Sequence, residues 1–363
     1  MRVLLTCGGT GGHIYPAISI ADKIKEHHPE AEILFIGTRH GMENRLVPAA
    51  GYEIEGIDAS GLDRRNLAAN IKTLENVIKG SREAARIIER FKPDLAIGTG
   101  GYVTGSVMTQ AHKKKIPCYI HEQNAVPGVT NKLLESRVDK VFISFEQSAQ
   151  LFRHPEKTVL TGNPVRAAFS ALDRKSCREK LGLDDDCRLI LLFGGSLGAG
   201  ILNDAAMELG KSIGDRNIRF IFVTGRRYFE EISARKDFPQ LSPSVEVISY
   251  ADDMPELMTA SDLVVSRAGA IAVSEILVCA KPSILVPSPN VTNNHQFKNA
   301  KAVADEGAAL LIEDKELAED PGLLAEKAFA LLADDAALES MRENAARLAK
   351  PDAAELIYQD LEI

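Results

Sequence analysis

Four short runs in this 363-residue chain combine glycines with side chains that can hold an anion or accept a proton. The first is Gly8-Gly9-Thr10-Gly11-Gly12-His13. Glycines let backbone N–H groups face an anion, and a helix opening behind them adds its positive end. His13 closes the run with an imidazole, the side chain that exchanges protons nearest neutral pH. The second run is Thr99-Gly100-Gly101-Tyr102-Val103-Thr104-Gly105, the third His121-Glu122-Gln123-Asn124, and the fourth Gly194-Gly195-Ser196-Leu197-Gly198. Taken singly, each glycine run is a tight strand-to-helix turn. Taken together, at the strand ends where open parallel sheets bind ligands, they read as the lining of a ligand-binding cleft between two domains.

Related motifs fail on spacing. A dinucleotide fingerprint counted from Gly9 meets Ile14 where its third glycine belongs, and the second strand ends Ile36-Gly37-Thr38 without a ribose-binding carboxylate. Gly210-Lys211-Ser212 follows Ala205 where a P-loop requires glycine. His121-Glu122 opens like a zinc-protease motif, but Ala125 occupies the second histidine position. Asp184-Asp185-Asp186 follows Leu181-Gly182-Leu183 and reads as an exposed turn rather than a metal-binding Asp-x-Asp. No cofactor and no metal are expected from these patterns.

The elements that must carry the runs alternate. Val3–Thr6, Ile33–Ile36, Asp94–Gly98, Cys118–His121 and Val141–Ser144 are predicted strands. Ile14–Glu26 is a predicted helix with Ile14, Ala17, Ile18, Ala21 and Ile24 on one face. The pattern restarts at Leu189–Phe193, followed by a helix from Leu202 to about Ile213 and strands at Phe220–Thr224, Val245–Ser249, Leu263–Ser266 and Ser283–Val286. Strand–helix alternation implies parallel sheets covered on both faces, here in two Rossmann-like domains. Gly and Pro in Thr161-Gly162-Asn163-Pro164-Val165-Arg166 mark the junction. The expected division is 1–163, 164–340 and a C-terminal helical segment, 341–363, packing back on the first domain.

Bulk properties narrow the class. A net charge of −8 argues against nucleic acid as a partner. The five cysteines, at 7, 118, 177, 187 and 279, form no Cys-x-x-Cys pair and suit a reducing compartment. The N-terminus has no signal-peptide layout, and no apolar run approaches the ~20 residues needed to span a bilayer. A cytoplasmic protein with at most peripheral membrane contact is expected.

In order along the chain stand Gly8–His13 with Pro16, Gly100-Gly101-Tyr102, His121–Asn124, Gly162-Asn163-Pro164-Val165-Arg166, Gly194–Ala199, Arg267-Ala268-Gly269-Ala270 with Glu275, and His295-Gln296 with Asn299-Ala300. This combination resembles the MurG family of bacterial N-acetylglucosaminyltransferases of peptidoglycan synthesis, over nearly the whole chain. The resemblance implies an α/β GT-B fold, with two Rossmann-like domains whose parallel sheets face across a cleft. It implies inverting transfer of GlcNAc from UDP-GlcNAc to the C4 hydroxyl of the N-acetylmuramyl sugar of lipid I, the undecaprenyl-pyrophosphoryl pentapeptide, giving lipid II and UDP.

Inversion needs a base for the acceptor hydroxyl and positive potential for the departing diphosphate. His13 is the first candidate base and Glu122 the second. Thr10, Gly11 and Gly12 suit the acceptor diphosphate, donor groups or both in turn, with Tyr102 beside them. The resemblance places the donor mostly on the second domain. It implies Gly195, Ser196 and Gly198 at the diphosphate with Arg166, backbone of Ala251 at the uracil, and Glu275 on the ribose beyond Gly269 and Ala270. It further implies Gln296 and Asn124 on sugar hydroxyls, with Asn299 nearby. A lipid acceptor requires reaching an anionic membrane surface at the cytoplasmic face. Ile71, Leu74, Val77, Ile78 and Ile88, interleaved with Lys72, Lys79, Arg82, Arg86 and Arg90, fit that task, as does Lys113-Lys114-Lys115. The competing expectations are a UDP-sugar 2-epimerase, a GT-B transferase with another acceptor, and a nucleotide-sugar-binding module without catalysis.

Overall fold

The computed structural model describes residues 1–59, 69–194 and 200–362, with side chains throughout except at 69–75. The chain divides into two compact units, Met1–Arg166 with Pro351–Ile363, and Ala167–Lys350.

Unit 1 alternates from its first residues: β1 (Arg2–Cys7), α1 (Gly11–His27), β2 (Glu32–Thr38), α2 (Glu43–Ala49), β3 (Glu53–Ile57) and α3 (Ala69–Phe91). It continues with β4 (Leu95–Gly100), α4 (Tyr102–Lys113), β5 (Cys118–Glu122), α5 (Val129–Leu134), β6 (Lys140–Ile143) and β7 (Thr158–Leu160). These strands form one parallel sheet in the order β3-β2-β1-β4-β5-β6-β7. Alternate residues of β1 serve its two faces. Val3 and Leu5 pack with Ile14, Ala17 and Ile24 of α1, while Leu4 packs with Val103, Val107 and Met108 of α4. Burial on both faces explains why the strand reads as an unbroken apolar run.

Unit 2 repeats the plan with α6 (Ala168–Ala171), α7 (Arg174–Lys180), β8 (Arg188–Phe193), α8 (Gly200–Ser212), β9 (Ile218–Val223), α9 (Phe229–Ser233), β10 (Val245–Ile248) and α10 (Met254–Ala260). Then come β11 (Leu263–Ser266), α11 (Ala270–Val278), β12 (Ser283–Leu285), α12 (His295–Ala304), β13 (Ala309–Leu311), α13 (Asp314–Glu319), α14 (Leu323–Leu332) and α15 (Asp335–Leu348). Its parallel sheet runs β10-β9-β8-β11-β12-β13, the same order as the first six strands of unit 1. Ile190 and Leu192 of β8 pack against Leu202, Ala206 and Leu209 of α8 and Leu324 and Ala328 of α14.

The last helix, α16 (Ala353–Asp360), returns to unit 1 and lies on α1. Tyr358 stacks on His27 at 4.0 Å, Glu355 accepts from His27 at 2.9 Å, and Ile357 enters the core. The returning segment is thus α16 alone, since α15 stays with unit 2.

Strand order reverses beside the first strand of each sheet, between β1 and β4 and between β8 and β11. Ligands of open parallel sheets bind outside the strand C-terminal ends at such switch points. Gly8–His13 leaves β1 and Gly100-Gly101 closes β4, so the first two glycine runs flank the switch point of unit 1. Gly194 leaves β8 and Arg267-Ala268-Gly269 leaves β11 in the corresponding places of unit 2.

Candidate active site

The helix behind the first glycine run starts at Gly11, three residues before its apolar periodicity begins. Thr10 is the N-cap residue in extended conformation, its carbonyl accepting from His13 and Ile14 amides at 3.0 and 3.2 Å. Its hydroxyl makes no capping hydrogen bond, and the Gly11 and Gly12 amides take no partner among the described residues. That leaves donors and the helix N-terminus directed at a ligand position. His13 Nδ1 lies 3.0 Å from the Gly8 carbonyl oxygen. A carbonyl only accepts, so Nδ1 carries the proton and Nε2 of the neutral ring presents its lone pair. Thr99 at the end of β4 donates to the His13 carbonyl at 2.7 Å and ties the two switch-point strands together.

The second run closes on the first. Gly100 and Gly101 have φ of +120° and +94°. A Cβ on Gly100 would lie 2.9 Å from His13 Nε2, and one on Gly101 2.6 Å from the Gly8 oxygen that holds the same ring. Gly101→Ala combines left-handed strain of about 1–3 kcal/mol with displacement of that carbonyl. We expect activity to fall at least about tenfold, read as an initial rate; a wild-type rate would show that Gly8 need not stay in place. Tyr102 stands at the start of α4, 66% exposed.

Glu122, at the end of β5, is buried at 2% exposure. Its Oε1 accepts from the Asn124 amide at 3.0 Å and from Asn124 Nδ2 at 3.2 Å, while Oε2 accepts from the Gly128 amide at 2.9 Å and Asn131 Nδ2 at 2.7 Å. These four bonds organise the loop before α5 and hold Asn124. His121 beside it is fully buried, donates from Nε2 to the Gly162 carbonyl at 2.9 Å, and has Nδ1 3.0 Å from Gln123 Nε2. Burial pushes its pKa down to about 4, the Gly162 carbonyl opposing and the nearby His13 adding slightly. The His121–Asn124 run thus ties the end of β5 to Gly162, to the loop before α5 and to Asn131. Arg166 ends unit 1 with its guanidinium 5.5 Å from the centre of the Tyr15 ring. A Cβ on Gly11 would meet that ring at 3.2 Å, so the cation lies beside the first cradle.

In unit 2, Gly195, Ser196 and Gly198 lie outside the described residues. Ala251 is buried just beyond β10, next to Tyr250, on which Arg226 stacks at 4.6 Å. Gly269 caps α11, Ala270 opens it, and Glu275 is half-buried within it. Arg267 pairs with Asp314 through both guanidinium nitrogens and donates to the Val286 carbonyl at 3.1 Å, fixing the end of β11. Gln296 accepts the Ser288 amide at 2.9 Å, which leaves its NH₂ for another acceptor. Asn299 is fully buried and donates to the Ala268 carbonyl at 3.2 Å, holding the turn before α11. Asp184–Asp186 is an exposed turn before β8, and no cluster suited to a metal ion occurs among the described residues.

On α3, Val77 and Ile78 are 37% and 46% exposed, with Lys79, Arg82, Arg86 and Arg90 also outward. Ile88 is not part of that surface: it packs with Ala84 and Ile87 in the core facing α4. The side chains of Ile71, Lys72 and Leu74 lie outside the described residues. Among the described residues no helix is long and apolar enough to cross a membrane.

Sequence reasoning missed Glu43. It is fully buried beneath the first glycine turn, accepting from the Thr38 amide at 2.8 Å and the Thr38 hydroxyl at 2.6 Å. Gly37 and Gly41 leave room for it. The glycines of that segment were its only trace in the sequence, and they match no recognised motif.

Two parallel-sheet α/β units with one strand order make a two-domain architecture of the GT-B kind. Residues 3–143 match the glycosyltransferase family 28 N-terminal domain and residues 189–357 the family 28 C-terminal domain. The UDP-N-acetylglucosamine–N-acetylmuramyl-(pentapeptide) pyrophosphoryl-undecaprenol N-acetylglucosamine transferase of Clostridioides difficile is 42% identical over 99% of this chain and 88% of its own length. The crystal structure of MurG from Acinetobacter baumannii superposes with a TM-score of 0.78 at 29% identity, covering 99% of this chain and 98% of that one. A UDP-GlcNAc 2-epimerase from Neisseria meningitidis shares the fold alone, with a TM-score of 0.69 at 17% identity over 99% of both chains. The chain belongs to the family of the UDP-N-acetylglucosamine–N-acetylmuramyl-(pentapeptide) pyrophosphoryl-undecaprenol N-acetylglucosamine transferases, within glycosyltransferase family 28.

Proposed function

We propose that this chain transfers GlcNAc from UDP-GlcNAc to the C4 hydroxyl of the N-acetylmuramyl sugar of lipid I, with inversion, giving lipid II and UDP. The observation that carries this reading is the His13 ring, pinned through Nδ1 with Nε2 open at the head of α1, in a chain of this family. The acceptor oxygen bonds to the anomeric carbon as the bond from that carbon to the diphosphate oxygen breaks. The hydroxyl proton passes to His13 Nε2, and UDP leaves with the electron pair. The Gly11 and Gly12 amides, the α1 N-terminus and Arg166 supply positive potential around the phosphates. On unit 2, Ser196 with Gly195 and Gly198, Ala251, Gly269, Ala270, Glu275 and the Gln296 amide take the donor, while Asn299 keeps the turn before α11 in place. On unit 1, Tyr102 stands on the acceptor side, Asn124 hydrogen-bonds sugar hydroxyls, and Thr10 with Gly11 and Gly12 holds the acceptor diphosphate, donor groups or both in turn.

Labelled UDP-GlcNAc incubated with a lipid I analogue tests the reading: label in the lipid product with release of UDP is expected. Conversion of UDP-GlcNAc to its 2-epimer without acceptor, or no transfer to the lipid, would overturn it.

The acceptor is held in a bilayer, so the enzyme works peripherally at the cytoplasmic face. Val77 and Ile78, ringed by Lys79, Arg82 and Arg86, are the described part of the surface that meets anionic lipid. Each basic residue near such a surface contributes about 1 kcal/mol. Reversing charge at Lys79 and Arg82 together is therefore expected to weaken binding to phosphatidylglycerol-containing vesicles at least about tenfold, measured by co-sedimentation. Unchanged binding would remove α3 from the membrane contact.

A further inference from the structure

Glu43 and His13 grip opposite ends of one peptide group. The Gly8–Gly9 peptide accepts at its oxygen from His13 Nδ1, 3.0 Å away, and its N–H, on Gly9, donates to Glu43 Oε2 at 3.3 Å. A trans peptide points its C=O and N–H in opposite directions, so it can bridge a carboxylate below the turn and an imidazole above it. Gly9 makes this orientation possible: its φ of +88° turns its N–H toward Glu43 while Thr10 proceeds to the N-cap of α1.

We propose that Glu43 is a positioning residue that acts on His13 through the Gly8–Gly9 peptide. This rests on the reading of His13 as the base. Hydrogen bonds in a chain polarise one another, most effectively where water is excluded. The Glu43 carboxylate makes the Gly8 oxygen a stronger acceptor, which holds the proton on Nδ1, keeps Nε2 open for the acceptor hydroxyl, and stabilises the ring once it has taken that proton. No bond forms or breaks at Glu43. The carboxylate also closes the β2–α2 turn through Thr38, but that role uses Oε1 and leaves the bond from Oε2 to Gly9 unexplained. No basic side chain pairs with Glu43 among the described residues, so the peptide is its only polar link toward the site. The other titratable groups around His13 do not duplicate the relay. His121 on β5 stays neutral through burial, burial and Glu43 hold the Cys7 thiol protonated on β1, and Arg166 stands off beyond the Tyr15 ring.

The test compares Glu43→Gln with Thr38→Val in the full chain. Both remove hydrogen bonds from the same turn, but only the first removes the carboxylate. Glu43→Gln is expected to lower kcat about tenfold or more with the KM for UDP-GlcNAc within about twofold. It is also expected to move the acid limb of kcat/KM to lower pH, because the protonated ring loses its stabilising partner. Thr38→Val is expected to lower the melting temperature and leave the acid limb in place. ¹⁵N-labelled histidine spectra are expected to show His13 protonated at Nδ1 in the wild type and a mixture of tautomers in Glu43→Gln. Should Glu43→Gln fail to fold, Gly41→Ala, whose new methyl would displace the carboxylate, serves in its place. An unmoved acid limb and unchanged tautomer would overturn the relay. Full activity in His13→Ala would instead overturn the base assignment, and the spectra would still report on the peptide bridge.

Discussion

Replacing His13 by alanine is expected to lower kcat for sugar transfer by about two to four orders of magnitude, the usual contribution of a positioned general base. The KM for UDP-GlcNAc should change less than about threefold, because in the proposed role the imidazole takes a proton in flight rather than holding the bound donor. Three features of unit 1 support so large an effect. The ring is oriented by the Gly8 carbonyl, its open nitrogen lies against Gly100, where a Cβ would come within 2.9 Å, and its backbone is held by the Thr99 hydroxyl. Glu122, the other candidate, is predicted to behave differently. Its four hydrogen bonds are to Asn124 and Gly128 in the loop before α5 and to Asn131 within α5, so Glu122→Ala should lower thermal stability along with activity. Radiolabel transfer and melting curves for both variants separate the cases. A His13→Ala enzyme at wild-type rate would end the assignment of His13, and a normally stable but inactive Glu122→Ala would return Glu122 to candidacy.

The second large effect concerns acid stability. His121 has a pKa of about 4 in the folded chain, against an ordinary value near 6.5. Between those values the unfolded chain binds a proton that the folded chain does not. The stability contributed by neutral His121 is therefore complete above pH 6.5 and is lost as pH falls toward 4, amounting to about 3 kcal/mol over the window. His121→Gln retains a donor and an acceptor for Gly162 and Gln123 without a titrating group. It should be less stable than wild type at pH 7 yet lose less on acidification. Urea midpoints at pH 7, 6, 5 and 4.5 measure the difference, and parallel declines in the two proteins would contradict it. In the proposed mechanism neutrality at His121 has a functional side as well, since a second cation there would oppose protonation of His13.

Much of this protein was legible in its sequence. Continuous apolar runs such as Leu189–Phe193 could only be strands covered on both faces, and their alternation with helical periodicity required two parallel sheets. Strands β3, β7 and β13 escaped because they are short, partly exposed and, in β3, interrupted by Gly56, so the burial that writes a hydrophobic pattern is weak there. The residue types of the site and their placement at strand ends were likewise legible, because glycine turns and an imidazole leave a local mark. What each side chain touches was decided only by its tertiary neighbours. Glu122 and Asn299 have the chemistry of substrate-binding groups, and the structure shows them buried and bonded to Asn131 and to the Ala268 carbonyl. Glu43 carries no motif at all, and it reaches the Gly9 amide only because β2 pairs beside β1 and sets the start of α2 beneath the turn. Spacing along a chain records which groups share an element. Which atom faces which, as where the Glu43 carboxylate meets the Gly9 amide, depends on contacts between residues far apart in that chain.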